Sequence, residues 1–230
     1  MLDLHHPFFL TFERLMAESA ARTPVYDLGT SARFAKEVGL VRHLFDENTY
    51  RAGGYRPDMT LEMSSCDFDC DIQNLSGIAD GEAGSVLSIS VLEHVLDPHR
   101  AVREMYRILQ PGGLAIVSVP FFVAYHGKSG RDVNPVYERG SDWQTDSSHG
   151  GYGDFWRFTH EGLALMFAEA GFSRVDVYPI DGWLISRLEV LGLYRRLARV
   201  PLVRMLIHKF DRPRLGRTAT MHFVRAEKSV

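Results

Sequence analysis

The chain has 230 residues, of which 45% are hydrophobic and 24% are charged, and its formal net charge at pH 7 is −3. This length predicts one domain with an additional segment beyond its core. The small negative net charge does not favour binding to nucleic acid, so we expect no nucleic-acid partner. Two cysteines are too few for a disulfide framework, which suits a reducing cytoplasm, and the lack of a basic leader or an apolar run of about 18 residues predicts neither a signal peptide nor a spanning helix.

The first part of the chain alternates predicted helices and strands. Helices are predicted where apolar residues recur at helical spacing, over 8–21 and 32–45, and strands where short apolar runs occur, over 25–29 and 50–54. The segment 66–72 alternates polar and apolar residues like an edge strand. Its thiols, Cys66 and Cys70, have an unusual spacing and no second ligand pair, so we expect small buried side chains and no metal site.

The middle of the chain carries a strand–helix–strand pattern. A strand is predicted over 86–90, and Asp97 followed by Pro98 then predicts a helix start, because Asp caps free N–H groups and Pro gives up a donor that has no partner there. Pro-Gly-Gly at 111–113 is expected to end this helix, and a second buried strand is predicted over 114–119. Such a crossover is parallel and right-handed by default.

This middle stretch resembles the fourth and fifth strand segments of class I S-adenosylmethionine-dependent methyltransferases. The resemblance rests on Leu-Glu-His-Val at 92–95 together with Gln-Pro-Gly-Gly at 110–113, and it extends more weakly over 24–172. It implies an α/β fold with a Rossmann-like, mostly parallel seven-stranded sheet, flanking helices and an antiparallel last strand. The implied single domain comprises an N-terminal helix (1–23), the core (24–180), a basic helical insert (181–216), and the last strand with its tail (217–230).

The resemblance also implies S-adenosylmethionine as the cofactor. In the family, the first strand ends in an acid followed by Gly-x-Gly, and these glycines let the backbone approach the methionine part of the cofactor. This chain has Asp27 and Gly29, but Thr30 and Ser31 stand where the second glycine belongs. The departure predicts reduced cofactor affinity, because their Cβ atoms occupy space that a glycine leaves free.

A second departure concerns the family acid that ends the second strand and accepts both ribose hydroxyls. Gly54 stands at that place, and Asp58 or Glu62 in the following loop are the alternatives. Further along, Asp71 and Ile72 match the family position that contacts the adenine amino group. The implied cofactor-binding residues are Asp27, Gly29, Thr30, Ser31, Gly54, Asp71, Ile72, Ser90 and Leu92.

Three histidines, His94, His126 and His149, are candidate general bases, because imidazole titrates near neutral pH. A base is needed only if the methyl acceptor must lose a proton. His94 lies just past the fourth strand, where open α/β sheets bind their ligands. Both cofactor contact and proton transfer therefore fit His94.

A long segment over 121–157 is predicted to be a lid or binding loop. Its candidate substrate-binding residues are Tyr125, Tyr152, Asp154 and Arg157. Asp154 and Arg157 also fit a purely structural clamp of the loop onto the domain. Thr159 is then predicted to cap a helix over 160–170, and strands are predicted over 173–179 and 218–226.

The insert over 181–216 carries many Leu, Ile and Val residues at helical spacing, interleaved with basic residues. From Arg187 to Arg217 the sequence has nine Lys or Arg against Glu189 and Asp211, a local balance of +7. A basic amphipathic helix predicts docking on an anionic membrane or on an acidic protein partner. In the alternative, the leucines are buried against the core and the arginines are only solvated. The protein would then have an ordinary cytoplasmic location.

Two functions follow from these patterns. The first is an S-adenosylmethionine-dependent methyltransferase that acts on a small molecule, a sugar or a lipid-linked acceptor, with the protein supplying position and electrostatics. The alternative is a catalytically degenerate, methyltransferase-like binding or scaffold protein, which the altered cofactor motifs favour. A nicotinamide oxidoreductase is disfavoured, since the chain lacks the Gly-x-Gly-x-x-Gly fingerprint.

Overall fold

The computed structural model describes residues 7–55, 66–127, 145–146, 151–211 and 218–230. The strands are β1 (Val25–Leu28), β2 (Tyr50–Gly54), β3 (Phe68–Asp69), β4 (Ala83–Ile89), β5 (Leu109–Pro120), β6 (Thr145–Asp146), β7 (Gly151–Tyr152), β8 (Arg174–Ile180) and β9 (Met221–Glu227). The helices are α1 (Pro7–Ala20), α2 (Pro98–Ile108), α3 (His160–Glu169), α4 (Trp183–Val190), α5 (Tyr194–Leu197) and α6 (Pro201–Phe210). Short 3₁₀ helices cover Lys36–Leu44 and Leu92–His94.

The main sheet has seven strands in the order β3-β2-β1-β4-β5-β9-β8. The first five are parallel, whereas β9 lies between β5 and β8 and is antiparallel to both. This confirms the predicted seven-stranded, mostly parallel sheet with an antiparallel last strand. The direction of strand progression reverses between β1 and β4, and the carboxyl ends of strands at such a reversal form the ligand crevice of open α/β sheets.

Side chains on the two faces of the sheet form two buried layers. Val102 and Met105 of α2 pack with Leu163 and Phe167 of α3 on one face. On the other face, α1 and the 3₁₀ helix Lys36–Leu44 cover the sheet, and their cluster comprises Phe12, Leu15, Met16, Val38 and Val41 with strand residues such as Tyr50, Leu87 and Phe223. The apolar stripe of each of these helices therefore faces the sheet, as the amphipathic spacing of the sequence predicts.

Both predicted helix caps are present. The Asp97 side chain accepts a hydrogen bond from the Arg100 N–H at 2.8 Å, and Pro98 occupies the first helical position. The Thr159 hydroxyl accepts from the Gly162 N–H at 3.1 Å, and the helix that it caps ends before Gly171, whose φ is +108°. Caps depend only on neighbouring residues, which is why the sequence predicts them well.

Three predicted element boundaries are wrong. The helix expected over 32–45 is a 3₁₀ helix that starts only at Lys36, because Phe34 has a φ of +52°, outside the helical region. Helix α2 ends at Ile108, and strand β5 already includes the Pro-Gly-Gly segment, because Leu109 is fully buried and pairs with Ala83 in the sheet. The edge strand expected over 66–72 spans only Phe68–Asp69.

The insert consists of the three helices α4, α5 and α6. The Asp211 carboxylate, just after α6, accepts hydrogen bonds from the N–H groups of Gly182, Leu184 and Ile185 at the start of α4. This contact holds the end of α6 against the start of α4. Among the described helices, none is long and apolar enough to cross a membrane.

Candidate functional site

The turn after β1 forms one wall of the crevice between β1 and β4. Asp27, Gly29 and Thr30 line it from the β1 side, and Ile89 and Val91 line it from the end of β4. Gly29 has a φ of +80°, and a Cβ atom there would lie only 2.5 Å from Val91 Cγ1. The glycine is therefore required both by the backbone conformation and by the close approach of the two strand ends.

Asp27 is almost fully buried at the end of β1. Its Oδ2 accepts a hydrogen bond from the Tyr50 hydroxyl at 2.5 Å. Burial, together with the nearby Asp27 carboxylate, raises the pKa of Tyr50 well above its ordinary value, so the phenol remains the donor. Tyr50 thus fixes the orientation of the first candidate cofactor residue.

The two departures from the family motifs are structurally linked. The N–H groups of Gly29 and Thr30 both donate to the Gly53 carbonyl, at 2.8 and 3.1 Å, so the turn bends over the end of β2. A Cβ atom at Gly54 would lie 2.8 Å from the Thr30 carbonyl oxygen and 2.9 Å from Cys66 Sγ. With this turn in place, Gly54 has no space for the acid that the family carries.

The other predicted cofactor residues around this turn lie at different depths. The Ser31 side chain is exposed, whereas the Thr30 hydroxyl donates to the Ala32 carbonyl at 2.9 Å. The alternative ribose acids, Asp58 and Glu62, lie outside the described residues.

Asp71 shapes the turn that follows β3. Its Oδ1 accepts hydrogen bonds from the Gln73 N–H at 2.9 Å and from Gln73 Nε2 at 3.1 Å. The Gln73 side chain in turn accepts from the Asp97 N–H at 2.8 Å, which links this turn to the start of α2. Ile72 is buried. The contact of Asp71 and Ile72 with adenine stays a prediction.

The segment directly after β4 leaves the sheet sharply. Ser90 has a φ of +55°, and its N–H donates to the Ser118 carbonyl at 3.0 Å and lies 3.1 Å from the Ser118 hydroxyl. The side chain of Leu92 is fully buried in the core, so only the Leu92 backbone is available to a ligand. Because of this bend, Glu93 and His94, which follow Leu92, lie at the carboxyl edge of the sheet.

Glu93, His94 and His126 form a compact cluster at this edge. Glu93 Oε1 lies 3.6 Å from Nε2 of His94 and 3.6 Å from Nε2 of His126. The two imidazole rings meet edge to face, with their centroids 5.0 Å apart. The structure therefore brings together two of the three predicted histidines. The third, His149, lies outside the described residues.

Glu93 is the functional candidate that the sequence interpretation missed. Its side chain is 0% exposed, and within the described part of the chain neither carboxylate oxygen has a hydrogen-bond partner. The available signal was its position beside His94 at the end of a predicted strand. An acid at that position is equally typical of an ordinary surface residue, because the burial of a side chain cannot be inferred from a single sequence position.

The two histidines have opposite electrostatic environments. Burial lowers the pKa of His94, whose Nδ1 lies 2.6 Å from the Gly153 carbonyl oxygen. The neighbouring Glu93 carboxylate raises the pKa of His126. Near neutral pH, His94 is therefore a neutral imidazole, and its Nδ1 carries the proton that the Gly153 carbonyl accepts.

Asp154 and Arg157 clamp the segment that carries His126. Both oxygens of Asp154 accept from the Arg157 guanidinium, at 2.5 and 2.6 Å, and Oδ2 also accepts from the His126 N–H at 2.9 Å. Arg157 further donates to the Ala124 carbonyl at 3.1 Å. Although burial opposes it, the guanidinium holds the pKa of Asp154 below its ordinary value. These contacts favour the structural interpretation of the pair.

The aromatic substrate candidates are less closely tied to the cluster. Tyr125 is 55% exposed, near the rim of the site. Tyr152 belongs to β7, but its side chain lies outside the described residues. Trp156 Nε1 donates to the Val95 carbonyl at 2.8 Å, which holds the segment 153–157 against the chain after β4.

A methyltransferase-domain family model matches residues 52–117. An uncharacterized methyltransferase of Mycobacterium sp. (strain KMS) is 45% identical over 49 residues, which are 21% of this chain and 19% of that protein. The chain thus spans only about a fifth of the length of this curated relative.

Solved structures share the fold along nearly the whole chain. An S-adenosylmethionine-dependent methyltransferase from Archaeoglobus fulgidus superposes with a TM-score of 0.56 at 14% identity, covering 95% of this chain and 92% of that one. Phosphoethanolamine N-methyltransferase 2 of Haemonchus contortus, solved with phosphomonomethylethanolamine and S-adenosylhomocysteine, gives 0.54 at 12% identity, covering 98% and 54%. These findings confirm the resemblance to class I S-adenosylmethionine-dependent methyltransferases and the fold that it implies.

Proposed function

From this fold and site, we propose that the protein transfers a methyl group from S-adenosylmethionine to a small acceptor held beside Glu93, His94 and His126. One observation carries the proposal. The glycine turn at the end of β1 and the glutamate–histidine cluster after β4 lie at the same carboxyl edge, on either side of the reversal in strand order. A cofactor in the crevice and an acceptor at the cluster would therefore be neighbours.

The residues of the crevice fit the methionine part of this cofactor. The positive φ of Gly29 lets the backbone turn sharply at the end of β1, and the buried Asp27 carboxylate suits the cationic amino group of a methionine. Asp71 and Ile72 would bind the adenine end. When bound, the cofactor supplies a sulfonium-activated methyl group that a nucleophile displaces in line. The ribose would lack the family's bidentate acid, because Gly54 has no space for one.

The cluster suits the acceptor side of the reaction. Neutral His94 can receive a proton, and the Glu93 carboxylate stabilises positive charge that develops nearby. Tyr125 at the rim offers an aromatic surface to a small acceptor. Support for a small acceptor comes from the Haemonchus enzyme, which was solved with phosphomonomethylethanolamine.

We expect S-adenosylmethionine to bind, but weakly. Loss of the bidentate ribose contact costs roughly 2–3 kcal/mol, or about 30- to 150-fold in affinity. Calorimetric titration of the purified protein measures this directly. Gly29→Ala should abolish the binding, because its Cβ would meet Val91, whereas Gly77→Ala, with no atom within 4 Å of its Cβ, is the matched control.

A sub-micromolar dissociation constant would contradict this interpretation of the two departures. Complete absence of binding, with the protein folded, would instead support the catalytically degenerate binding or scaffold protein.

We further propose that the helical insert docks on an anionic membrane surface. Ile185 and Ile207 of the insert are buried, but many of its other large apolar side chains are exposed. More than half exposed are Val190, Leu191, Val200, Leu202, Met205 and Phe210. The exposure of these side chains disfavours the alternative in which the apolar residues of the insert simply cap the core.

The positive charge of the insert favours an anionic membrane as the partner of this surface. Arg187, Arg196 and Lys209 are exposed on these three helices and Arg199 is exposed in the turn between α5 and α6, and the region from Arg187 to Arg217 has a net charge of +7. Each basic residue near an anionic lipid surface contributes about 1 kcal/mol, less at higher salt. Apolar and cationic side chains together are typical of helices that lie in a membrane interface. Such docking would suit a lipid-linked acceptor.

Vesicle co-sedimentation tests the docking. We expect binding to phosphatidylserine-containing vesicles at low salt and none to purely zwitterionic ones. Arg196→Glu with Arg199→Glu should reduce the binding at least tenfold, whereas Arg100→Glu with Arg103→Glu, which reverses the same charge on α2, should not. Leu202→Gln with Phe210→Gln should also reduce it, with the exposed Leu165→Gln on α3 as control. Failure to bind anionic vesicles, or self-association through this face, would overturn the membrane assignment.

A further inference from the structure

The Glu93 carboxylate lies in an environment that needs a cation. It is fully buried, and in the described part of the molecule its oxygens accept no hydrogen bond. An ionised carboxylate in such a place is strongly disfavoured unless it is paired or coordinates a metal ion. The Nε2 atoms of His94 and His126 each lie 3.6 Å from Glu93 Oε1, beyond ordinary hydrogen-bond distance.

Both imidazoles present the same edge to the carboxylate. Nδ1 of His94 lies against the Gly153 carbonyl oxygen at 2.6 Å, and Nδ1 of His126 lies 3.4 Å from the Ala124 carbonyl oxygen, which can accept from it. An oxygen that accepts from Nδ1–H fixes the tautomer in which Nε2 bears the lone pair. Metal-binding histidines characteristically have such an oxygen behind them, as a backbone carbonyl or a carboxylate.

The separations match a coordination sphere. In a tetrahedral site with bonds of about 2.1 Å to nitrogen and oxygen, neighbouring ligand atoms lie about 3.4 Å apart. The two measured Glu93–histidine separations are 3.6 Å, and the three ligand atoms all lie within 4.8 Å of one another. Oxygen-only ligands suit Mg²⁺ and Ca²⁺, whereas two imidazoles and one carboxylate suit a divalent transition metal such as Zn²⁺, Mn²⁺ or Fe²⁺.

We propose that Glu93, His94 and His126 bind one divalent transition-metal ion at the carboxyl end of β4. Three protein ligands leave at least one position open, as in catalytic rather than structural metal sites. The clamp formed by Asp154 and Arg157 positions His126 for this site through the hydrogen bond of the His126 N–H to Asp154. This site is distinct from the two cysteines that the sequence suggested as a possible metal pair, and the side chains of Cys66 and Cys70 are both buried.

The open position assigns a class of acceptor, an inference that rests on the proposed methyltransferase function. A hydroxyl group coordinated to the ion would become more acidic, and its proton would pass to water, because His94 Nε2 would then be a metal ligand and not a base. The acceptor oxygen would form a bond to the transferred methyl carbon, while the carbon–sulfur bond breaks and its electron pair remains on sulfur as a neutral thioether. The acceptor is therefore an oxygen nucleophile, and 1,2-dihydroxybenzene, whose second oxygen would bind if the ion became five-coordinate, is the probe of this class.

Cobalt substitution tests the metal site without relying on activity. Chelator-treated, dialysed protein is titrated with Co²⁺ alone and followed by its visible absorption bands, with equilibrium dialysis for stoichiometry. We expect one Co²⁺ per chain and a loss of affinity of at least tenfold in Glu93→Gln and in His126→Ala. His99→Ala is the matched control, because His99 Nδ1 lies 3.9 Å from Glu169 Oε2 in an exposed pair on the surface.

Two further measurements distinguish loss of the metal site from misfolding of a variant, and they test the metal site independently of the proposed methyltransferase function. Thermal melts without metal verify that each variant is folded, and Co²⁺ should raise the melting temperature of the wild type and of His99→Ala only. Addition of 1,2-dihydroxybenzene should shift the Co²⁺ bands of the wild type.

No stoichiometric Co²⁺ uptake, or equal uptake by folded His126→Ala, overturns the metal site, whatever the calorimetry with S-adenosylmethionine shows. Uptake without a spectral shift by 1,2-dihydroxybenzene overturns the assigned acceptor class. Uptake in a protein that does not bind S-adenosylmethionine supports the metal site and contradicts the methyltransferase proposal.

Discussion

Replacing Arg157 with alanine is expected to lower the free energy of unfolding by about 3 kcal/mol, because it leaves the Asp154 carboxylate buried without its counter-charge. The side chain of Asp154 is 0% exposed, and both of its oxygens accept from the Arg157 guanidinium. For a chain of this length, such a loss lowers the melting temperature by roughly 6–12 °C. Chemical denaturation, followed by circular dichroism, measures the change.

Arg157→Lys should recover only part of this loss. An ammonium group cannot reproduce the two parallel hydrogen bonds of the planar guanidinium or also reach the Ala124 carbonyl. Arg174→Ala is the matched control, since Arg174 pairs with Asp176 at 2.9 Å on the surface and should cost less than about 1 kcal/mol. Equal stabilities of Arg157→Ala and Arg174→Ala would contradict the clamp and return Arg157 to the substrate-binding candidates.

Restoring the family acid by Gly54→Asp is expected to destabilise the protein by about 3 kcal/mol and not to tighten cofactor binding. The new Cβ would lie 2.8 Å from the Thr30 carbonyl oxygen, a backbone atom that cannot move without opening the turn after β1. Overpacking of this kind costs about 1–3 kcal/mol, and a carboxylate placed in a buried strand adds its own desolvation cost.

Gly77→Asp separates this collision from the general effect of replacing a glycine. A Cβ atom at Gly77 has no neighbour within 4 Å, and the position is exposed, so we expect a change within about 0.5 kcal/mol. Denaturation curves and calorimetric titration with S-adenosylmethionine are measured for both variants. A stable Gly54→Asp that binds the cofactor more tightly would show that the missing acid, and not the packing of the turn, limits affinity.

The histidine–glutamate cluster shows where sequence interpretation stops. His94 was identified from its place after a predicted strand, and His126 as one of three histidines that could act as a base. The approach of His126 to Glu93 depends on the bend at Ser90 and on the clamp between Asp154 and Arg157, which holds the His126 backbone. The sequence does not show that His126 meets Glu93 or Asp154, because these residues are far apart in the chain.

The sequence by itself determined the features that depend on neighbouring residues. The Asp97 and Thr159 caps, the amphipathic faces of α1 and α2, and the buried strands on either side of α2 all follow from local spacing and chemistry. The seven-stranded, mostly parallel sheet with an antiparallel last strand followed from the family resemblance, which the middle of the chain carries.

Only the tertiary structure decided the remaining features. Leu109 belongs to β5 and not to α2, because pairing with Ala83 outweighs its helical spacing. Gly54 must be a glycine because the Thr30 carbonyl of another strand's turn lies against it, and Glu93 is a buried carboxylate beside His126, which is far away in the chain. In each case the deciding energy comes from atoms brought close by the fold, and such contacts have no local signature in the sequence.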